Sequence, residues 1–270
     1  ALDDSGADEK SYESVEAEDE PTSVSEAQEL IQPQDDLAGS GTETDPFLVG
    51  SVEDLELLRG IMNDNPGVHV KMTSDISVGE WEPFYPSSGY ITEAFSGVFD
   101  GCGHSITNLS VNRTTTNVGF FGGINGATIK NLHVSGTVSS TKAYVGGIVG
   151  YIGANTGASV EGCKVTNSTI TSTTELVNGE WDNGDKAGGI VGYLSPNDKV
   201  LNCIVGGNTT IKAYRDLGGI VGCSQNGIVK GNKIDGSTVY VTVDATHNYK
   251  KYTSSSSYNA GHIIGRDENS

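Results

Sequence analysis

The chain has 270 residues and a formal charge of −19, enough length for one large domain or two ordinary ones. So acidic a surface repels DNA and anionic lipid, and no apolar run approaches the roughly 18 residues that span a bilayer, which argues against nucleic-acid binding and membrane insertion. The charge is uneven: residues 1–45 hold 15 Asp/Glu against Lys10 alone, leaving −5 on the other 225 residues.

Residues 1–40 contain one aromatic, Tyr12, and cannot bury enough apolar surface to offset their ordering entropy. They read as an acidic flexible tail or linker, with a short helical turn possible over 25–31. A spacer or solubility role suits them better than specific cation binding. The chain begins at Ala1 without an initiator Met, which fits a processed secreted precursor or a trimmed chain.

A β domain is expected over 41–270. Residues 41–50 (GTETDPFLVG) are a turn leading into a strand. Ser51 is then a natural N-cap, with Glu53 and Asp54 in the first turn of a helix over about 51–63. Val52, Leu55, Leu58 and Met62 share one face of that helix. Residues 68–72 follow as a strand with His69 outward.

Trp81, Phe84, Tyr85 and Tyr90 fall in a Gly/Pro/Ser-rich stretch, 79–90. The bland reading is a long loop packed back on the domain; the sharper one is a sugar-stacking platform. Asp100 and His104, in DGCGH, could suggest a metal or a general base, but they flank two turn glycines just ahead of a strand. The structural reading is preferred.

From here the chain repeats itself. VGFFG (118–122), VGGIVG (145–150), AGGIVG (187–192), LGGIVG (217–222) and AGHIIG (260–265) recur at spacings of 28, 42, 30 and 43 residues. Interleaved are bent apolar alternations: ITNLSV (106–111), IKNLHV (129–134), VEGCKV (160–165), VLNCIV (200–205) and VKGNKI (229–234). A third short piece closes each unit, as in Thr137-Val138-Ser139 and Thr169-Ile170-Thr171. Three short strands per unit, joined at Gly and Asn, describe one coil of a parallel β-helix.

These residues carry a resemblance. GGIVG blocks interleaved with IxNLxV segments, opened by Phe95-Ser96-Gly97-Val98-Phe99-Asp100-Gly101-Cys102-Gly103-His104, resemble the GLUG-motif β-helical surface proteins of bacteria. Some of those are adhesin-like, and some are accessory regions of secreted immunoglobulin-cleaving metallopeptidases. The likeness spans roughly 40–270. It implies an all-β fold, a right-handed single-stranded parallel β-helix with a short N-terminal capping helix, regular coils from about 95, and DGCGH as the turn into the first of them. A helix over 51–63 would then close the open first coil.

Each glycine block carries two adjacent apolar residues, such as Ile148-Val149, which a straight strand would point to opposite faces. An inward bend at the glycines is the first choice; an outer apolar stripe is the alternative. Cys163 and Cys203 share a repeat position with Leu109 and Leu132, so they should stack inward as free thiols. Neither CxxC nor Cys/His spacing occurs, so no metal or other cofactor is indicated.

The variation lies in the connection between the third strand and the next glycine block. Short versions contain Tyr144 or Tyr214. Long ones, 172–186 and 243–259, contain Trp181, Asp182 and Asp185, or Tyr249 and Tyr252. All should leave the coil at one corner, which places Tyr144, Trp181, Asp182, Asp185, Tyr214, Tyr249 and Tyr252 along one edge as candidate ligand contacts. Solvated loops are the plain alternative. Asp182-Asn183-Gly184-Asp185 lacks the spacing and distal Glu of a calcium loop.

No recurring carboxylate pair, H-E-x-x-H, G-x-S-x-G or phosphate loop is present. The expectation is therefore a noncatalytic, extracellular, adhesin-like surface protein binding a glycan or a host or cell-surface protein. A polysaccharide lyase or hydrolase on the same scaffold is the alternative, and an inert stalk the third reading.

Overall fold

The structure is a computed structural model, described for residues 36–85, 94–153, 156–173, 185–213, 216–235, 240–243, 259–261 and 263–267. These form 25 short strands and one helix, and the strands pair in parallel with the corresponding strands of the coils before and after. The result is a single-stranded parallel β-helix, with the right-handed sense that parallel crossovers take.

One coil shows the design. Ser159–Glu161 lies in a first sheet, then the chain bends at Gly162 and Cys163. Lys164–Thr166 and Thr169–Ser172 lie side by side in a second sheet. After the variable connection, Lys186–Gly188 enters a third sheet and Val191–Leu194 a fourth. Two of the three expected strands are thus subdivided: the glycine block and the IxNLxV segment each break into two strands at a bend, while Thr169–Ser172 stays whole. Asn131, Gly162, Asn202 and Gly231 all sit at positive φ at the same bend, which is why only Asn and Gly alternate there.

The glycine block works through backbone proximity. A Cβ on Gly146 would lie 2.1 Å from the Val149 carbonyl oxygen and 2.8 Å from the Gly192 nitrogen. The third sheet therefore lies almost directly on the fourth, and the chain must turn sharply between them. That turn aims both apolar residues of the first four blocks inward: Phe120, Phe121, Ile148, Val149, Ile190, Val191, Ile220 and Val221 are fully buried, while Ile263 and Ile264 of the fifth are half-buried. The inward bend, not an outer apolar stripe, is what the chain adopts.

Register corrects one alignment. Phe99 pairs with Ile129, and Ile106 pairs with Val134. The segment 106–111 is therefore not a copy of 129–134 but of the stretch after it, and Leu109 faces Gly136 rather than sharing the Leu132 position. The cause is the DGCGH corner, which spends two residues more than the corner at Asn131 and Leu132. Ser105–Arg113 absorbs a further residue in an irregularity around Asn108, at φ 55°.

Parallel pairing also begins before residue 95: Phe47–Val49 pairs with His69–Met72, which pairs with Val98–Asp100. Between the first two of these runs the helix Val52–Asp64. Ser51 accepts the Asp54 N–H at 3.1 Å, and the Asp54 carboxylate accepts the Ser51 N–H at 3.0 Å. Leu55, Leu58 and Met62 are buried in the solenoid core and cap its N-terminal end.

Candidate functional site

The corner comes first. Ser140 pairs with Ser172, and Ala213 with Val243, so the strands entering the variable connections are stacked. Val145, Ala187, Leu217 and Ala260 stack where those connections end. All four leave the coil at one corner, and residues 114–117 form an earlier short one, since Arg113 pairs with Ser140 and Val118 with Val145. Buried serines tie the corner together: Ser140 Oγ donates to the Thr115 carbonyl at 2.6 Å, and Ser172 Oγ lies 3.0 Å from the Lys142 carbonyl oxygen.

Of the expected contact residues, Tyr144 and Asp185 are described; Trp181, Asp182, Tyr214, Tyr249 and Tyr252 lie outside the described residues. Asp185 does not face solvent. It is 4% exposed, with Oδ1 3.3 Å from Ser172 Oγ, and helps build the corner.

Tyr144 is half-buried, and two tyrosines that the sequence reading passed over join it. Tyr151 and Tyr193 are Cα partners in the fourth sheet, their rings parallel within 3° and 5.1 Å apart. The Tyr144 ring tilts against both, at 5.4 and 5.3 Å. The signal was present as a Tyr one residue after the block in VGYI and VGYL, but two of five copies do not make a pattern. Beneath the cluster, Lys186 sits 5.3 Å from the Tyr144 ring centre and 5.7 Å from that of Tyr193. Tyr193 also donates its hydroxyl to Gln225 at 2.8 Å.

The other aromatic candidate fails. Trp81 and Phe84 are each 1% exposed, so they cannot stack on a sugar. The Trp81 indole N–H donates to the Phe120 carbonyl at 3.1 Å while its ring stacks on Phe120 at 5.2 Å. Arg59 from the helix closes over Trp81 and Phe84, 4.6 and 4.8 Å from their ring centres. Tyr85 hydrogen-bonds the Met62 carbonyl, and Tyr90 lies outside the described residues.

Asp100 and His104 do not converge. Asp100 accepts the Cys102 N–H at 2.9 Å and the Asn131 amide at 3.0 Å, and Lys130 lies 3.4 Å away. Although partial burial opposes them, these partners together hold its carboxyl below the usual range. His104 instead faces Asp75 at 3.5 Å. Asp100 and Lys130 do line a cleft of about 240 Å³ on the outer face of the first sheet, with Glu43, His69 and Lys71. Among the described residues, no group of three or more His, Cys, Asp or Glu could hold a metal ion.

Cys163 and Cys203 stack inward as free thiols, 1% and 0% exposed, and burial pushes the Cys163 thiol well up.

Residues 143–171 match the family described as the GLUG motif. The chain carries a GLUG motif. That span runs from Ala143 through one glycine block and into the second-sheet strand Thr169–Ser172, so the motif is one coil of the solenoid. A stretch of 151 residues is 29% identical to halomucin of Haloquadratum walsbyi, covering 42% of this chain and 2% of halomucin. A crystal structure described as a candidate immunoglobulin A1 protease of Bacteroides ovatus superposes with a TM-score of 0.61 at 19% identity, covering 86% of this chain and 65% of that one. The chain thus spans a small fraction of halomucin and about two thirds of the solved neighbour, and at that identity the likeness is one of fold. The GLUG glycines are scaffold residues, held by the backbone contacts they permit.

Proposed function

We propose that the chain is a noncatalytic, extracellular surface module that binds a glycan or a host or cell-surface ligand along one edge of its β-helix. One observation carries the reading: half-buried Tyr144, at the corner that launches the variable connections, meets Tyr151 and Tyr193 in a continuous aromatic patch. Aromatic side chains with polar tips suit both sugar rings and protein interfaces. Trp181, Asp182, Tyr214, Tyr249 and Tyr252 lie outside the described residues and join the proposed contact set only through their positions in the sequence of the variable connections. Asp185, being buried, is left out of it. The GLUG motif and the match to halomucin, a mucin by name, support the extracellular placement.

The test is a glycan and host-protein binding screen repeated with Tyr151→Ala, Tyr193→Ala and Trp181→Ala. Each should weaken binding by about tenfold or more. Undiminished binding by all three overturns the edge as the site.

A degradative enzyme is the second reading, favoured by the cleft that brings His69, Lys71 and Asp100 together. Incubation with uronic-acid polymers, read as ultraviolet-absorbing or reducing ends, and with immunoglobulin A, read on a gel, would reveal turnover. Silence in the binding and turnover assays leaves a stalk.

A further inference from the structure

Lys186 and Asp216 open neighbouring strands of the third sheet, Lys186–Gly188 and Asp216–Gly218, and are Cα partners in a parallel ladder. Both side chains are inside the protein, 5% and 0% exposed, with Nζ 3.7 Å from Oδ2. That is longer than the roughly 2.7–2.9 Å of a charge-assisted hydrogen bond. Tyr144 and Tyr193 close over the amine. The backbone holds the pair in place: the Asp216 N–H donates to the Asp185 carbonyl at 2.9 Å, in the residue just before Lys186.

Two opposite charges this deep carry a heavy desolvation penalty. Condensation of the two groups into an amide removes both charges at once. Fixed side by side away from solvent, these groups have the proximity that makes an otherwise slow condensation intramolecular.

We propose that Lys186 and Asp216 are joined by an isopeptide bond. The Nζ lone pair attacks Cγ of the protonated Asp216 carboxyl, forming the C–N bond. The C–OH bond then breaks, and the hydroxyl departs with a proton from the amine as water. Ammonium and carboxylate become one secondary amide and one water, with no oxidant, reductant or co-reactant. The amide is neutral and so suits the site better than the ion pair it replaces. It would staple two successive coils directly, carrying tension past the residues between them in a module exposed at a surface.

Intact mass of the full chain, measured after denaturation, decides the matter. The expected value is about 18 Da, one water, below the sequence mass. Digestion should give a linked peptide pair spanning Lys186 and Asp216, with no cleavage after Lys186. Lys186→Arg should have its full sequence mass. Asp216→Asn should lose about 17 Da, because the same attack then expels ammonia. A wild-type chain at full mass, cleaved after Lys186 like its other lysines, overturns the proposal. So does a mass deficit that maps elsewhere, such as to Asp100-Gly101. Neither result bears on ligand binding at the aromatic edge.

Discussion

Gly188 and Gly222 leave no space for a side chain between them: a Cβ on Gly188 would stand 2.5 Å from the Gly222 nitrogen and 2.1 Å from the Val191 carbonyl oxygen. The obstacles are backbone atoms, which cannot swing aside. Gly188→Ala should therefore cost about 3 kcal/mol, at the upper end of overpacking. Gly60, on the exposed side of the helix, would meet nothing within 4 Å, so Gly60→Ala should gain roughly 0.5–1 kcal/mol. Urea unfolding of both variants checks the pair, and equal midpoints would contradict the close-approach account.

That contrast marks what the sequence can express. The pairs Gly146 with Gly192 and Gly188 with Gly222 recur because each coil demands the same backbone contact, so the stack was legible from spacing alone. The register of 106–111 was not. ITNLSV matches the IxNLxV pattern letter for letter, yet the longer DGCGH corner carries it one strand onward, and pattern matching does not count corner residues. Tyr151 and Tyr193 were missed for a related reason. They gain meaning from standing in one column across 42 residues of chain, next to Tyr144. Asp185 reads as an acid in a surface loop, while its burial depends on Ser172 thirteen residues earlier.

The aromatic core at the capped end should be structural alone. Trp81→Ala removes a buried ring and leaves the Phe120 carbonyl without its indole donor, at about 3–5 kcal/mol. Trp81→Phe keeps most of the packing and should cost clearly less. Ligand binding by folded Trp81→Phe should equal that of the wild type; reduced binding would return this cluster to the list of contact surfaces.

Thiol chemistry offers a test of coil stacking. Cys163, Cys203 and Cys223 are buried and Cys102 is exposed, so an aromatic disulfide reagent should modify one thiol in the native chain and all four after denaturation. Cys102 should still react slowly at neutral pH, because partial desolvation of its sulfur and then the Asp100 charge push its thiol up. Rapid labelling of Cys163 or Cys203 in the native state would show that the coils are not closed around them.

Asp198 makes stability depend on pH in an unusual direction. Its side chain is fully buried; Oδ1 accepts the Ala158 N–H at 2.9 Å, and Oδ2 makes no hydrogen bond among the described residues. Burial pushes its carboxyl up to about 6, against the opposing pull of the backbone N–H groups of Ala158, Gly157 and Thr156; no charged side chain contributes. A carboxyl that holds its proton more tightly folded than unfolded makes folding take up a proton between the two values. The chain should thus gain stability as pH falls from about 6 toward 4, by at most about 3 kcal/mol. Asp100 runs the other way: its carboxyl is lowered, so its contribution disappears only below the ordinary carboxylate range. Asp198→Asn keeps an oxygen for the Ala158 N–H but cannot titrate, so its unfolding free energy should be flat between pH 4 and 6 where that of the wild type slopes. Parallel profiles for the two proteins would mean that Asp198 is already charged in the folded chain, and that the turn at 156–158 holds an anion rather than an acid.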